Sequence, residues 1–98
     1  MYRIIILPIA QLDVKEAASW YDKQQKGLGK RFMSEVKQNI GLLKDNPLAF
    51  PNRYDSTRML VLKIFPFIVY YDIDESKKVV VISAILHTSR HPDTWKRQ

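Results

Sequence analysis

The sequence predicts a single α+β domain in which a helical hairpin packs on one face of a β-sheet. Three observations carry this prediction: a β-branched apolar run at Val79–Leu86, two amphipathic helical stripes nearer the N-terminus, and short turns between the last strands. The 98 residues, of which 46% are hydrophobic, suffice for one small core. We therefore expect one domain over residues 1–98 with the element order β-α-α-β-β-β.

The N-terminal segment predicts a strand followed by a first helix. Tyr2–Leu7 is mostly apolar and ends at a proline, as a strand would. Asp13 can accept a hydrogen bond from the amides of the next turn, and Glu16 stands three residues later, so the pair predicts a capping box. The apolar stripe of this helix consists of Val14, Ala17, Ala18 and Tyr21. We expect the helix to end near Gln25, because Gly27 can adopt the left-handed conformation.

A second helix is predicted to begin near Leu28. Its apolar stripe consists of Leu28, Phe32, Val36, Ile40 and Leu43. It should stop before Pro47, which disfavours helical geometry in the preceding residue. Only a short turn separates the two helices, so they should form a hairpin. The prolines and polar residues of Pro47–Ser56 predict a loop.

Three strands complete the predicted domain. They cover Thr57–Ile64, Phe67–Asp74 and the apolar run from Lys78, with Phe65-Pro66 and Asp74–Lys77 as turns. Because both connections are short, the three strands should form an antiparallel meander. The last strand is apolar at nearly every position, which predicts that it is buried on both faces at the centre of the sheet.

Composition limits the class of function. Sixteen Lys and Arg against ten Asp and Glu give a net charge of +6, which favours an anionic partner. The chain has no cysteine, and no apolar run approaches the roughly 20 residues of a membrane helix. We therefore expect a cytoplasmic protein without a membrane partner. His87 and His91 are four residues apart, but Pro92 opposes the helix that would align them, so no metal site or cofactor is expected.

The exit of the last strand is the predicted target-binding site. His87 ends the apolar run and Arg90 follows it, which offers a titratable group and a cation suited to phosphate. Arg58 and Lys63 begin and end a neighbouring strand and could extend this basic surface. Trp95 could stack on a base, or it could pack the C-terminal segment on the sheet. His87 could also be a hydrogen-bonded residue at a strand end.

A second basic cluster occurs at the predicted helical hairpin. It consists of Lys26, Lys30 and Arg31. Its ordinary interpretation is a solvated helix start. It is the next candidate if the exit of the last strand is not the site.

Taken together, these segments resemble the RelE/ParE family of toxins from type II toxin–antitoxin modules, which includes plasmid-stabilisation proteins. The resemblance rests on Trp20-Tyr21, Gly27–Phe32, Asn46-Pro47, Phe50-Pro51, Phe65–Tyr71, Ile85–His87, Arg90, Pro92 and Trp95. These pieces span nearly the whole chain in the order expected of the family. The resemblance implies the fold predicted above, and it implies a growth-inhibiting toxin neutralised by a cognate antitoxin.

The resemblance leaves the cellular target open. RelE-like members cleave mRNA on the ribosome with several cations, whereas Met59, Val61 and Ile68 occupy positions where basic residues are expected. The resemblance therefore favours a ParE-like toxin that binds an essential target, with DNA gyrase the best known. One alternative is a ribosome-dependent endoribonuclease using Arg90 and His87. The other is a degenerate copy that binds antitoxin alone, and the oligomeric state is open.

Overall fold

The computed structural model describes residues 1–54 and 56–89. The elements in chain order are β1 (Arg3–Ile6), α1 (Pro8–Gln24), α2 (Leu28–Asp45), a 3₁₀ helix (Pro47–Ala49), β2 (Asn52–Tyr54), β3 (Thr57–Val61), β4 (Phe67–Asp74) and β5 (Val79–His87). The strands form one sheet in the order β1-β5-β4-β3-β2. This arrangement confirms the α+β prediction: in the chain, the helical hairpin follows β1 and precedes the other four strands.

The meander predicted for the last three strands is confirmed. β3 pairs antiparallel with β4, and β4 pairs antiparallel with β5. β1 pairs parallel with β5, from Arg3 opposite Val79 to Ile6 opposite Ile82. β5 therefore lies inside the sheet, as predicted, but the middle position of the five strands belongs to β4.

The core lies between the helical hairpin and one face of the sheet. Its buried members from α2 and the sheet include Phe32, Val36, Ile40, Leu43, Leu60, Val69, Tyr71, Val80, Ile82 and Ile85. A smaller cluster on the opposite face consists of Tyr70, Ala84 and Leu86, with Met59 and Ile68 packed against it. The apolar character of β5 on both of its faces follows from these two clusters.

The predicted start of the first helix is wrong. α1 begins at Pro8, five residues before Asp13, and Leu7 is its N-cap residue. Proline suits the first helical position, because its missing N–H would have no partner there and its φ is already helical. The Asp13 carboxylate instead accepts a hydrogen bond from the Ile85 amide of β5, at 3.1 Å. The acid that suggested a local cap is a tertiary contact between α1 and the sheet.

The turn between the helices is built on two glycines. Gly27 has a φ of 90°, in the left-handed region predicted for it. Gly29 lies so close to α1 that a Cβ there would be 2.3 Å from the carbonyl oxygen of Ala18. The Gly29 amide donates to Asp22 Oδ1 at 2.8 Å, so a carboxylate from α1 caps the start of α2.

Two other boundaries differ from the sequence prediction. The segment predicted as a loop contains the 3₁₀ helix and the short edge strand β2. β3 ends at Val61 and does not continue to Ile64. The reason is that the amides of Lys63 and Ile64 donate to the Glu35 carboxylate, so they are not part of a strand ladder. In the described part of the chain, no helix combines the length and apolarity needed to cross a membrane.

Candidate functional site

Two of the predicted site residues lie at the same end of the sheet. His87 ends β5 opposite Phe67, the first residue of β4. The Thr88 amide donates to the Pro66 carbonyl at 2.9 Å, which joins the exit of β5 to the β3–β4 turn that carries Lys63. We call this end of the sheet, formed by residues 62–66 and 87–89, the His87 end.

The His87 ring is exposed and held by local contacts. The Ser89 amide donates to Nδ1 at 3.0 Å, and the Ser89 hydroxyl oxygen is 2.9 Å from the same nitrogen. Because a backbone N–H can only donate, Nδ1 accepts, and the proton of the neutral ring is on Nε2. The ring also packs edge-on against Phe67, with centroids 5.4 Å apart. This end therefore presents an oriented imidazole.

An aromatic pocket of about 480 Å³ lies beside His87 on the helix face of the sheet. Trp20, Tyr21 and Phe67 line it together with the imidazole. Trp20 is 57% exposed and meets Tyr21 in a T-shaped contact with centroids 5.2 Å apart. Trp20 lies off the apolar stripe of α1, and this is the one signal by which the sequence could have identified it as a surface aromatic. Such a pocket can hold a flat or apolar group beside a hydrogen-bonding ring.

The β3–β4 turn is held by one buried carboxylate. Glu35 of α2 is 7% exposed. Its Oε2 accepts from the amides of Lys63 at 3.0 Å and Ile64 at 2.8 Å, and its Oε1 accepts from Phe65 at 3.0 Å. Hydrogen bonds to a charged acceptor are stronger than neutral ones, so the carboxylate fixes the turn against α2. Glu35 was not predicted from the sequence, although an acid beside the apolar stripe residues Phe32 and Val36 is a visible signal.

An open groove of about 530 Å³ separates α2 from this turn. Its lining includes Arg31, Gln38, Asn39 and Leu42 from α2, with Lys63 and Ile64 from the turn. We call it the α2–turn groove. Arg31 belongs to the second basic cluster predicted from the sequence, so the structure brings one member of that cluster and Lys63 to the same groove.

Arg58 lies away from the His87 end. Its cross-strand partner on β4 is Tyr71, four residues from Phe67, which corresponds to about 13 Å along the strand. The guanidinium donates to the carbonyl oxygens of Phe50 at 2.7 Å and Leu48 at 3.4 Å. Arg58 thus fastens the segment after α2 to the sheet, and the structure does not group it with His87 and Lys63.

Tyr71 strengthens the same attachment. It is fully buried, and its hydroxyl donates to the Pro47 carbonyl at 2.6 Å. Burial raises the pKa of Tyr71 to about 12, while the charge of Arg58 acts in the opposite direction.

Two predicted site residues cannot be placed in this geometry. Arg90 and Trp95 lie outside the described residues. Among residues 1–54 and 56–89, no group of three or more His, Asp or Glu side chains could hold a metal ion.

The sheet face opposite the helices is apolar near the His87 end. Val61 pairs with Ile68 across β3 and β4, and Met59 is two residues from Val61 on the same strand. Ala84 and Leu86 on β5 belong to the same face and are buried, whereas Val61 is 54% exposed. His87 lies on the helix face, because its cross-strand neighbour Phe67 belongs to the core under the helices.

Sequence comparison identifies the family. Residues 4–92 match the model of the ParE toxin of type II toxin–antitoxin systems, parDE. The chain belongs to this family. No curated protein sequence matches it significantly. The toxin class predicted from the sequence is thereby confirmed for this ParE-family chain.

Solved structures show the same fold at low sequence identity. A chain of the chromosomal ParDE system from P. aeruginosa is 16% identical with a TM-score of 0.67, covering 91% of this chain and 98% of that one. The isolated E. coli RelE toxin is 14% identical with a TM-score of 0.69, covering 96% and 92%. The RelBE2 toxin–antitoxin complex from Mycobacterium tuberculosis is 20% identical with a TM-score of 0.61, covering 88% and 96%.

Proposed function

We propose that this ParE-family chain arrests growth by binding an essential target, DNA gyrase, and that a cognate antitoxin neutralises it. The observation that carries the proposal is the apolar sheet face of Met59, Val61 and Ile68. Cleavage of RNA needs a general base, a general acid and charge stabilisation in one place. An apolar face is suited to packing against a protein surface and not to stabilising a phosphate.

The position of His87 supports the same conclusion. The imidazole lies on the helix face of the sheet, whereas Met59, Val61 and Ile68 lie on the other face. A substrate on the apolar face would therefore have the body of the sheet between it and the His87 ring. This separation supports binding over cleavage as the activity of the chain.

Two assays with purified protein separate binding from cleavage. The proposal predicts inhibition of gyrase supercoiling and intact mRNA on translating ribosomes. The isolated E. coli RelE toxin is the positive control for the ribosome assay. If mRNA is cut at defined codon positions while gyrase stays active, the chain is a ribosome-dependent endoribonuclease, and Arg90 and His87 become its candidate catalytic residues.

Expression in living cells tests the antitoxin. The net charge of +6 favours an acidic partner segment. Expression of the chain alone should arrest growth, and co-expression with the protein encoded beside it should restore growth and yield a co-eluting complex. A complex without growth arrest would identify the degenerate copy that binds antitoxin alone. Growth unaffected and no complex would refute the toxin proposal.

A further inference from the structure

We propose that the α2–turn groove is the docking site for an acidic segment of the partner protein that carries apolar side chains. This inference rests on the proposed function, because it locates the neutralising contact on a chain proposed to be a toxin. It combines three independent features of the groove: its exposed apolar rim, its charge and the rigidity of the turn.

The rim of the groove exposes two large aliphatic side chains. Ile64 at the tip of the turn is 72% exposed, and Leu42 on α2 is 54% exposed. Both line the same cavity of about 530 Å³. Single exposed apolar residues are ordinary, but two that face one groove provide contact area for a partner's apolar side chains.

The charges lining the groove determine the kind of partner. Arg31 comes from α2 and Lys63 from the turn, and both are exposed. The acid in the lining is Glu35, whose two oxygens already accept three backbone hydrogen bonds. The groove therefore offers two cations, and its one carboxylate is engaged with the turn. A segment with carboxylates at its edges and apolar residues between them complements this arrangement.

The turn is held in place before any partner binds. Glu35 fixes the amides of three successive residues, so Lys63 and Ile64 project from a backbone that is already ordered. The aromatic rings below add to this rigidity, since Phe65 meets Phe32 at 5.3 Å and Tyr21 at 4.9 Å. A rigid surface spares a partner the cost of ordering the loop on binding. An exposed Ile64 on a fixed backbone is what we expect of a residue that a partner docks against.

Substitutions at Leu42 test the groove. Leu42→Glu removes apolar contact and adds a negative charge, so its affinity for the purified product of the adjacent reading frame should fall at least tenfold. Leu42→Lys removes the same contact but adds a positive charge, and its loss should be smaller, most clearly at low salt. Leu12→Glu is the matched control, because Leu12 is 51% exposed on α1, away from the groove. Its affinity should change less than twofold.

The binding and growth assays distinguish the outcomes. Melting temperatures within about 3 °C of wild type establish that all three variants fold. Equal affinities of Leu42→Glu and Leu12→Glu for the partner would overturn the groove assignment while leaving the toxin proposal intact. Loss of growth arrest in Leu42→Glu with unchanged partner affinity would also overturn it, because the groove would then contact the target. A wild-type chain that neither arrests growth nor binds the adjacent product refutes the proposed function itself.

Discussion

The two ends of the sheet use polar side chains in opposite ways. At the end formed by the β4–β5 turn and the start of β1, polar groups pair with one another. The Tyr2 hydroxyl donates to Glu75 at 2.6 Å, and Lys78 lies 3.5 Å from the same carboxylate. The hydrogen bond from Tyr2 lowers the pKa of Glu75. Arg58 similarly donates to the Phe50 carbonyl.

At the His87 end, the buried Glu35 carboxylate binds backbone amides, and other side chains form the exposed surface. Glu35 is engaged with the β3–β4 turn, while Trp20 and Ile64 expose more than half of their surface. Arg31 and Lys63 line the adjoining groove. The comparison shows that charged side chains occur at both ends of the sheet, so charge alone does not distinguish them. What distinguishes the His87 end is the combination of exposed cations, exposed apolar groups and a fixed backbone.

The strongest test of this comparison is removal of the Glu35 carboxylate. Glu35→Ala leaves three amides of the turn without their acceptor, and water can replace it only in part. We expect the free energy of unfolding to fall by about 2–4 kcal/mol. Glu16→Ala, an exposed acid on α1, is the control and should change it by about 0.5 kcal/mol or less. Urea denaturation measures both. Equal effects would mean that the carboxylate does not hold the turn.

Tyr71→Phe tests the contact that attaches the segment after α2 to the sheet, because it removes the hydroxyl that donates to the Pro47 carbonyl. The expected loss is about 1–2 kcal/mol at neutral pH, because the carbonyl stays buried without a donor. The unfolded tyrosine titrates near 10, whereas the pKa of folded Tyr71 is about 12. The stabilising contribution is therefore complete below pH 10 and is lost as the pH rises towards 12. Unfolding curves at pH 7, 10 and 11.5 should show the wild-type advantage shrinking, and a constant advantage would contradict the assignment.

Arg58→Ala separates the structural position of Arg58 from the target-binding role predicted for it. The structure leads us to expect a loss of about 1–2 kcal/mol, since the guanidinium is partly exposed and its bonds to Phe50 and Leu48 are partly replaced by water. Toxicity should then decline only as far as stability does. Arg58→Lys keeps the charge but loses the planar guanidinium group with its several N–H donors, so it should lower the free energy of unfolding as well. Abolished growth arrest at an unchanged melting temperature would instead support target contact.

His87→Ala should have the smallest effect on stability. The ring is exposed and its partner Ser89 can bond to water, so the change should stay within about 0.5 kcal/mol. Growth arrest should nevertheless be lost if the His87 end contacts the target. Thr88→Ala, at the exposed neighbouring position, is the control. Arg90→Ala tests the other predicted residue of this exit, and full toxicity of both variants would remove the exit of β5 from consideration.

The sequence predicted the elements well where the signal was local. The stripe of α2, the turn at Gly27 and the limits of β4 all follow from periodicity or from a single residue's backbone preference. It failed where a side chain acts across the fold. Asp13 stood in the pattern of a helix cap but bonds to Ile85, 72 residues away.

The same reason explains the errors at the site. Glu35 ends the strand predicted over Thr57–Ile64 at Val61, because it takes the amides of Lys63 and Ile64, 28 and 29 residues away. The acid is visible beside the apolar stripe of α2, but no local pattern indicates which amides it binds. Arg58 was grouped with His87 as a neighbouring cation, although an antiparallel meander puts the start of β3 and the end of β5 at opposite ends of the sheet. The pairing of β4 with both strands confirms that separation.

The parallel pairing of β1 with β5 also governs the order in which the chain can fold. Arg3 can pair only after Val79 has been synthesised, 76 residues later (79 minus 3). The core is likewise complete only when β5 has supplied Val80, Ile82 and Ile85. At a synthesis rate of about 5–20 residues per second, that interval lasts roughly 4–15 s. A nascent chain that stops before β5 has neither a partner for its first strand nor a closed core. The complete toxin fold therefore cannot form during translation until β5 has been synthesised.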